Sequence, residues 1–389
     1  MKKKIAVVFN RMVVGGAEKA LIQFLKALDT EKYDVTLFTL NDKGAYFSDI
    51  PQGIKVNFTE CPDSTKRFLD DIKHFRIMRV LNGIYCRIMI RLCRDEYKKF
   101  TYTLRTYPKL PGEYDCVIAY KLNFEDTATA IWRIDADKKC AWMHSSIESV
   151  RNKKDRFILL LLLSMYVDRV FCVSGECKKQ LDTAYPMYSQ KTDVIHNIFP
   201  TEEIKAKAIE CISEVMYGVS LVTVGRLSPE KGQQMIPKAA RILLDQGYEI
   251  YWYLVGDGPL RSEVEQECEK YGVQDHVILL GTRMNPYPYI KNCDIYVQPS
   301  FTEGYCTTTV EAKILHKPIV TTDAPGMREQ FVSGENGLIV DAMTPEAIAD
   351  GIRQLMDHPE LMDQFTNALK NETFDNSKEL QKLYDFIES

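Results

Sequence analysis

At 389 residues the chain is too long for one ordinary hydrophobic core, and two domains of roughly 150–200 residues are the natural division. Apolar residues make up 45% and charged residues 27%, which excludes a disordered chain, and a net charge of −4 argues against a dedicated nucleic-acid binder. The 11 cysteines form no CxxC pair and have no histidine at ligand spacing, so free thiols in a reducing compartment are expected, and no metal site.

The opening stretch MKKKIAVVFNRMVVGGAEKA has the basic start of a secretion signal, but Asn10 and Arg11 interrupt its short apolar run. It reads as a first buried strand over 5–10, and the protein is expected in the cytoplasm. After a loop holding Gly15 and Gly16, Ala20, Leu21, Phe24, Leu25 and Leu28 recur at helical spacing. Further strands are expected at 35–40, 54–58, 116–120, 140–143, 169–173 and 192–195. Between the second and third of these, residues 66–109 hold twelve basic residues against four acidic ones, a net +8 that leaves −12 for the rest. Ile77, Leu81, Ile84, Ile88 and Leu92 run between those cations at helical spacing, the pattern of a helix lying on an anionic membrane surface. The alternative is a packed helix pair with a solvated basic face. The longest apolar run, FILLLLLSM at 157–165, is less than half of a membrane span.

After VIHNIFP the pattern weakens and restarts at 220–224, with strands expected at 251–255, 277–280, 295–297, 318–321 and 337–340. Strand and helix alternate throughout, so the fold class is α/β with parallel sheets covered by helices on both faces. The division expected is a first domain over 1–198, a linker over 199–217 and a second domain over 218–370. Residues 371–389 form an amphipathic helix returning to the first domain. Sheets of this kind bind ligands at the carboxyl ends of their strands.

Four features fall at such places. In VVGGAEKA, Gly15 and Gly16 remove side chains before a helix, where amides and the helix dipole favour an anion; a plain chain reversal uses the same residues. In LVTVGRLSPEKG, Arg226 and Lys231 stand five residues apart and could both reach one diphosphate; the alternative is a solvated basic loop partnered by Glu230. In SFTEGYCTTTVEA, the amides of Gly304, Tyr305, Cys306 and Thr307 open a helix expected over 307–315, with Glu303 and Glu311 on either side. Carboxylates beside an anion are costly unless they accept hydrogen bonds, and sugar hydroxyls supply them; the plain alternative for Glu311 is a charge near a helix N-terminus. His144, in AWMHSS, ends a strand of the first domain. Together these residues describe a site for a nucleotide-diphosphate sugar.

GGAEKAL, VGRLSPEKG, GDGPL, CDIYVQPSFTEGYCTTTVEA and GMREQFVSGENGLIV resemble the retaining glycosyltransferases of family 4. The resemblance covers nearly the whole chain and includes two glutamates with seven residues between them, Glu303 and Glu311. It implies the GT-B fold, two Rossmann-like doubly wound domains facing a central cleft. By position, it implies that Gly15 and Gly16 lie in the loop meeting the diphosphate and the sugar, and that Arg226 and Lys231 neutralise the leaving diphosphate. Glu303 would hold hydroxyls of the transferred sugar and Glu311 those of the ribose, while His144 would lie near sugar and acceptor. Thr282 and Arg283 would meet the base through their backbone. Many members have glycine or proline where this chain has Cys306, which puts the close backbone approach there in question; nothing nearby activates that thiol as a nucleophile.

The implied reaction moves a hexose-type sugar from a nucleotide-diphosphate sugar to a glycan or lipid-linked acceptor in surface-polysaccharide synthesis. Transfer occurs on one face, with the leaving phosphate taking the acceptor's proton and no bound metal or cofactor. The competing readings are a GT-B sugar-nucleotide epimerase and a non-catalytic sugar-nucleotide-binding subunit. The base of the donor is left open.

Overall fold

The computed structural model describes residues 2–9, 15–39, 46–58, 72–73, 77–95, 98–99, 101–102, 109–145, 147, 150, 152–212 and 214–389. They form two compact units. The first comprises Met1–Cys172, Gln180–Ile195 and Glu379–Ser389, and the second Val173–Lys179 and His196–Lys378.

The first unit is built on a seven-stranded sheet in the order β3-β2-β1-β4-β5-β6-β7. Its strands are β1 (Lys3–Val8), β2 (Tyr33–Thr39), β3 (Lys55–Phe58), β4 (Glu113–Ala119), β5 (Asp135–Met143), β6 (Arg169–Cys172) and β7 (Thr192–Val194). Every pairing is parallel. Runs such as Ile5–Val8 and Cys116–Ala119 are buried without alternation, as a sheet covered on both faces requires. Strands β4 and β5 begin earlier than their apolar runs, because the polar starts pair with each other, Glu113 opposite Asp135 and Tyr114 opposite Ala136. The helix Gly16–Ala27 buries Ala20, Leu21, Phe24 and Leu25. The Phe24 ring sits 4.8 Å from Tyr120 and 5.1 Å from Trp142, centroid to centroid. The apolar run at 157–165 lies in the helix Lys153–Tyr166, where Leu159, Leu162 and Leu163 are buried. Among the described residues no helix is long and apolar enough to cross a membrane.

The helix Leu380–Glu388 completes this unit. Tyr384 stacks on Tyr33 at 5.0 Å, Lys3 Nζ donates to the Ile387 carbonyl at 2.9 Å, and Lys138 Nζ donates to that of Phe386 at 2.7 Å.

Within the basic segment, the helix Ile77–Leu92 buries Cys86 but exposes Ile77, Leu81, Ile84, Ile88 and Leu92, the last by 72%. Among the described residues one stripe along the helix is thus uncovered, and Arg91 is exposed beside it. Lys66, Arg67, Arg76, Arg105, Asp70, Asp71, Glu96 and the Arg79 side chain lie outside the described residues.

The second unit holds a six-stranded sheet in the order β10-β9-β8-β11-β12-β13, again parallel throughout. The strands are β8 (Val219–Val224), β9 (Ile250–Val255), β10 (Val277–Gly281), β11 (Ile295–Gln298), β12 (Ile319–Thr322) and β13 (Leu338–Val340). Alternate residues feed two cores: Tyr253 and Tyr296 join Val310 and Ile314 on one face, while Trp252, Leu254 and Val297 join Ile352 and Phe365 on the other. The stretch 199–217, expected as a linker, instead belongs to this unit. It contains the helix Thr201–Lys207, and Phe199, Ile204 and Ala208 are buried in the first of these cores; a helix of seven residues is too short to show a period.

Candidate active site

Strands β8 and β11 are neighbours, so the loops leaving their carboxyl ends meet. Glycines permit the approach. Gly232 has φ +69° and a Cβ there would fall 1.9 Å from the Pro299 carbonyl oxygen; one at Gly256 (φ +144°) would fall 2.0 Å from that of Gly225. The amides of Phe301 and Thr302 donate to the Glu230 carbonyl at 2.9 and 3.2 Å, fastening one loop to the other.

This fastening brings Lys231 to Glu303. Lys231 Nζ donates to both carboxylate oxygens, at 2.7 and 2.8 Å, and Ser300 Oγ donates to Oε1 at 2.6 Å. Ser300 is itself held by Gln298 Nε2 at 2.8 Å. The Glu303 side chain is 8% exposed and that of Lys231 23%, so the charges meet in a partly dry setting where attraction is strong. Burial alone lowers the Lys231 pKa, but the Glu303 charge and hydrogen bonds outweigh it and the net direction is upward. Lys231 stays an ammonium. Two of its three N–H groups are used on Glu303, and the third remains for another acceptor. The pair also answers the electrostatic difficulty of a carboxylate beside an anion site, because the cation that would meet the anion already neutralises the acid.

The helix Thr307–Ile314 starts immediately after this loop, with Cys306 as its N-cap residue. Glu311 lies buried in it, and Tyr287 OH donates to its Oε1 at 3.3 Å. Cys306 is buried among apolar residues, and that burial, with the Glu303 charge, pushes its thiol up to about 11. It is a protonated packing residue rather than a nucleophile. The Gly304 carbonyl accepts from Ser174 Oγ at 2.7 Å, and the Cys306 carbonyl from Gln330 Nε2 at 3.3 Å. Ser174 had no mark in the sequence, and Gln330 stood in the GMREQFVSGENGLIV stretch without a role, since the groups they hold are 130 and 24 positions away.

Arg226 is exposed, and its side chain makes no hydrogen bond or ion pair among the described residues. Its backbone is fixed, with the carbonyl accepting from Gln233 Nε2 at 2.9 Å. Arg283 differs: its guanidinium pairs with Glu214 at 2.6 Å and donates to Tyr289 OH at 3.1 Å, and Tyr289 OH donates back to Glu214 at 2.6 Å. The Arg283 side chain is therefore committed within the protein, and Thr282 offers its carbonyl at 3.4 Å from Arg283 Nη1.

In the first unit, Gly15 is the extended N-cap of the helix Gly16–Ala27, and its carbonyl accepts from Lys19 N at 3.1 Å. The loop before it, 10–14, lies outside the described residues. His144 Nε2 is 2.8 Å from the Tyr120 carbonyl oxygen, and a carbonyl only accepts, so Nε2 carries the proton. Burial lowers the His144 pKa to about 4, leaving a neutral ring whose Nδ1 is an acceptor at pH 7. One group was overlooked: Glu18, in the first helical turn after Gly16, is buried 3.8 Å from Lys121 Nζ.

Two helix-covered parallel-sheet units of this kind make the GT-B fold. The whole chain superposes on Anabaena HepE, solved with UDP and glucose, with a TM-score of 0.73, 19% identity and 100% of each chain covered. A Staphylococcus aureus TarM variant gives 0.71 at 13% identity, again over 100% of each chain. Residues 219–372 match the sequence model of the glycosyl transferases group 1 family. The chain is a glycosyltransferase. It is 24% identical over 381 residues, 97% of each chain, to the Campylobacter jejuni N-acetylgalactosamine-N,N'-diacetylbacillosaminyl-diphospho-undecaprenol 4-alpha-N-acetylgalactosaminyltransferase. It is 27% identical over 139 residues, 36% of this chain and 37% of that protein, to the capsular polysaccharide glycosyltransferase CapM of Staphylococcus aureus.

Proposed function

We propose that the protein is a retaining, metal-independent glycosyltransferase of family 4 that moves a hexose-type sugar from a nucleotide-diphosphate sugar to a lipid-linked glycan. The observation that carries this is the Lys231–Glu303 pair, held by Ser300 at the start of the helix bearing Glu311. Arg226 and the third N–H of Lys231 take the diphosphate. Negative charge builds on the β-phosphate as the glycosidic bond lengthens, so these cations favour the transition state over the ground state. Glu303 already accepts three hydrogen bonds, and its remaining lone pair orients a sugar hydroxyl; Glu311 serves the ribose. Neither is free to attack the anomeric carbon, which favours same-face transfer over a covalent glycosyl intermediate. From the first unit, the amides at Gly15 and Gly16 and the Nδ1 acceptor of His144 serve the sugar and the acceptor, and the backbone at Thr282 and Arg283 the base. The UDP and glucose bound to HepE support a UDP-hexose donor. The undecaprenol-linked substrate in the Campylobacter enzyme's name supports a lipid-linked acceptor.

A lipid acceptor calls for a protein at the membrane face. The exposed stripe Ile77, Leu81, Ile84, Ile88 and Leu92, inside a segment of net charge +8, favours an interfacial helix over the packed alternative. Incubation with a panel of labelled nucleotide sugars and a polyprenyl-diphosphate saccharide, followed by NMR of the product's anomeric proton, tests the function. A product with the donor's anomeric configuration supports it. Inverted product removes the retaining mechanism, isomerised sugar nucleotide without transfer indicates an epimerase, and binding without turnover a non-catalytic subunit.

A further inference from the structure

We infer that Ser174 and Gln330 are positioning residues that aim two backbone amides of the 304–307 loop at the donor's diphosphate, an inference that rests on the donor-site reading above. Among the described residues every peptide bond is trans, and in a trans peptide the C=O and the following N–H point in opposite directions. Fixing a carbonyl therefore fixes the next amide. Ser174, fully buried, donates from Oγ to the Gly304 carbonyl at 2.7 Å and accepts from Cys177 N at 3.1 Å. This turns the Tyr305 N–H away from the Ser174 side. Two residues on, the Cys306 carbonyl is 3.3 Å from Gln330 Nε2 and 2.7 Å from Thr309 Oγ1, which turns the Thr307 N–H away from Gln330 in the same manner. An alternation of held carbonyls and outward amides is what an anion-binding turn needs.

The anchors are themselves locked together. Glu329, adjacent to Gln330, accepts from Gly175 N at 2.8 Å, Glu176 N at 3.3 Å and His196 Nε2 at 2.7 Å. Burial raises its pKa, but these partners outweigh that and hold it low, so it remains a carboxylate on the first turn of the helix Gly175–Ala184. The residue between the anchored groups that most needs restraint is Gly304, because a glycine peptide flips at little steric cost. Gly326 bounds it from another side, where a Cβ would come 3.0 Å from the Gly304 oxygen.

Calorimetric titration of the wild type with UDP, GDP and ADP selects the diphosphate; Ser174→Ala and Gln330→Met are then titrated with it and with its nucleoside. Ser174→Ala should bind the diphosphate about tenfold more weakly and the nucleoside as the wild type does. Gln330→Met should lose about threefold, since Thr309 still holds the Cys306 carbonyl. Wild-type diphosphate affinity in Ser174→Ala, or equal losses for nucleoside and diphosphate, overturns the positioning role. A wild type that binds none of the three diphosphates overturns the donor-site reading itself.

Discussion

The two units solve different problems. In the second, polar residues from four segments are tied into one network: Glu230 holds 301 and 302, Lys231 holds Glu303, Ser174 holds Gly304 and Gln330 holds Cys306. In the first, the prominent feature is a surface property, an exposed apolar stripe within a strongly basic segment, and the family model does not extend to it. The contrast fits two kinds of ligand. A nucleoside diphosphate presents fixed charges and hydroxyls at fixed spacing and requires hydrogen-bonding groups in register, whereas a lipid surface requires only apolar area and net charge.

The comparison breaks most sharply at Glu303. Glu303→Gln should lower kcat by about 10³ with the fold intact by circular dichroism, because the sugar loses its orienting acceptor and Lys231 its counter-charge. An unchanged kcat would take Glu303 out of the site. Arg226→Ala should lower kcat/KM by about 10², with part of the loss in kcat, and Arg226→Lys should recover little, since the planar fork is gone. The wild type should keep its rate in EDTA; activity that disappears with chelator and returns with Mg²⁺ or Mn²⁺ would assign the leaving-group charge to a metal. Pairing Leu81→Asp with Ile88→Asp should cut sedimentation with anionic vesicles at least about tenfold and leave nucleotide affinity unchanged, and binding should fall as salt rises. Equal binding to neutral vesicles would defeat the membrane role. Glu311→Gln should weaken donor binding about fivefold with a smaller change in kcat, because the ribose is bound alike in the ground and transition states and misses the carboxylate equally in both.

The remaining effect concerns pH and stability rather than activity, and belongs to the first unit. Folded His144 takes a proton only near pH 4, while the unfolded chain takes it at its ordinary 6.5. Between those values the unfolded state binds more protons, so stability falls as pH drops from 6.5 towards 4 and is unaffected above that window. Urea midpoints at pH 7, 5.5 and 4.5 should decline less steeply in His144→Gln than in the wild type.

The thirteen strands among the described residues were all legible in sequence, because each is a short β-rich run closed by loop residues, and parallel order follows from the helices between them. Glu303, Glu311, Arg226 and Lys231 were legible as residue types at strand ends. Their pairing was not: Lys231 and Glu303 stand 72 positions apart, and nothing local states that Gly232 will let the two loops touch. The first-turn anchoring by Ser174 and Glu329 left no mark either, since a serine and a glutamate near a helix start are ordinary. For the helix Ile77–Leu92 the pattern gave the stripe but not which side of it the protein would cover; only the burial of Cys86 and the exposure of Leu92 distinguish them.

The helix Leu380–Glu388 gives the molecule a built-in order of assembly. It packs on β1 and β2, so Lys3 waits for a partner 384 positions later, and Tyr33 for the ring of Tyr384. On the ribosome the second unit's long segment, His196–Lys378, is made before that helix exists. At roughly 5–20 residues per second this interval is on the order of ten seconds or more. During it the first unit's sheet has emerged with one flank uncovered, a species that chaperones and proteases would meet before any sugar nucleotide does. Chains stopped short of residue 379 would keep that flank open permanently, while retaining every residue of the second unit.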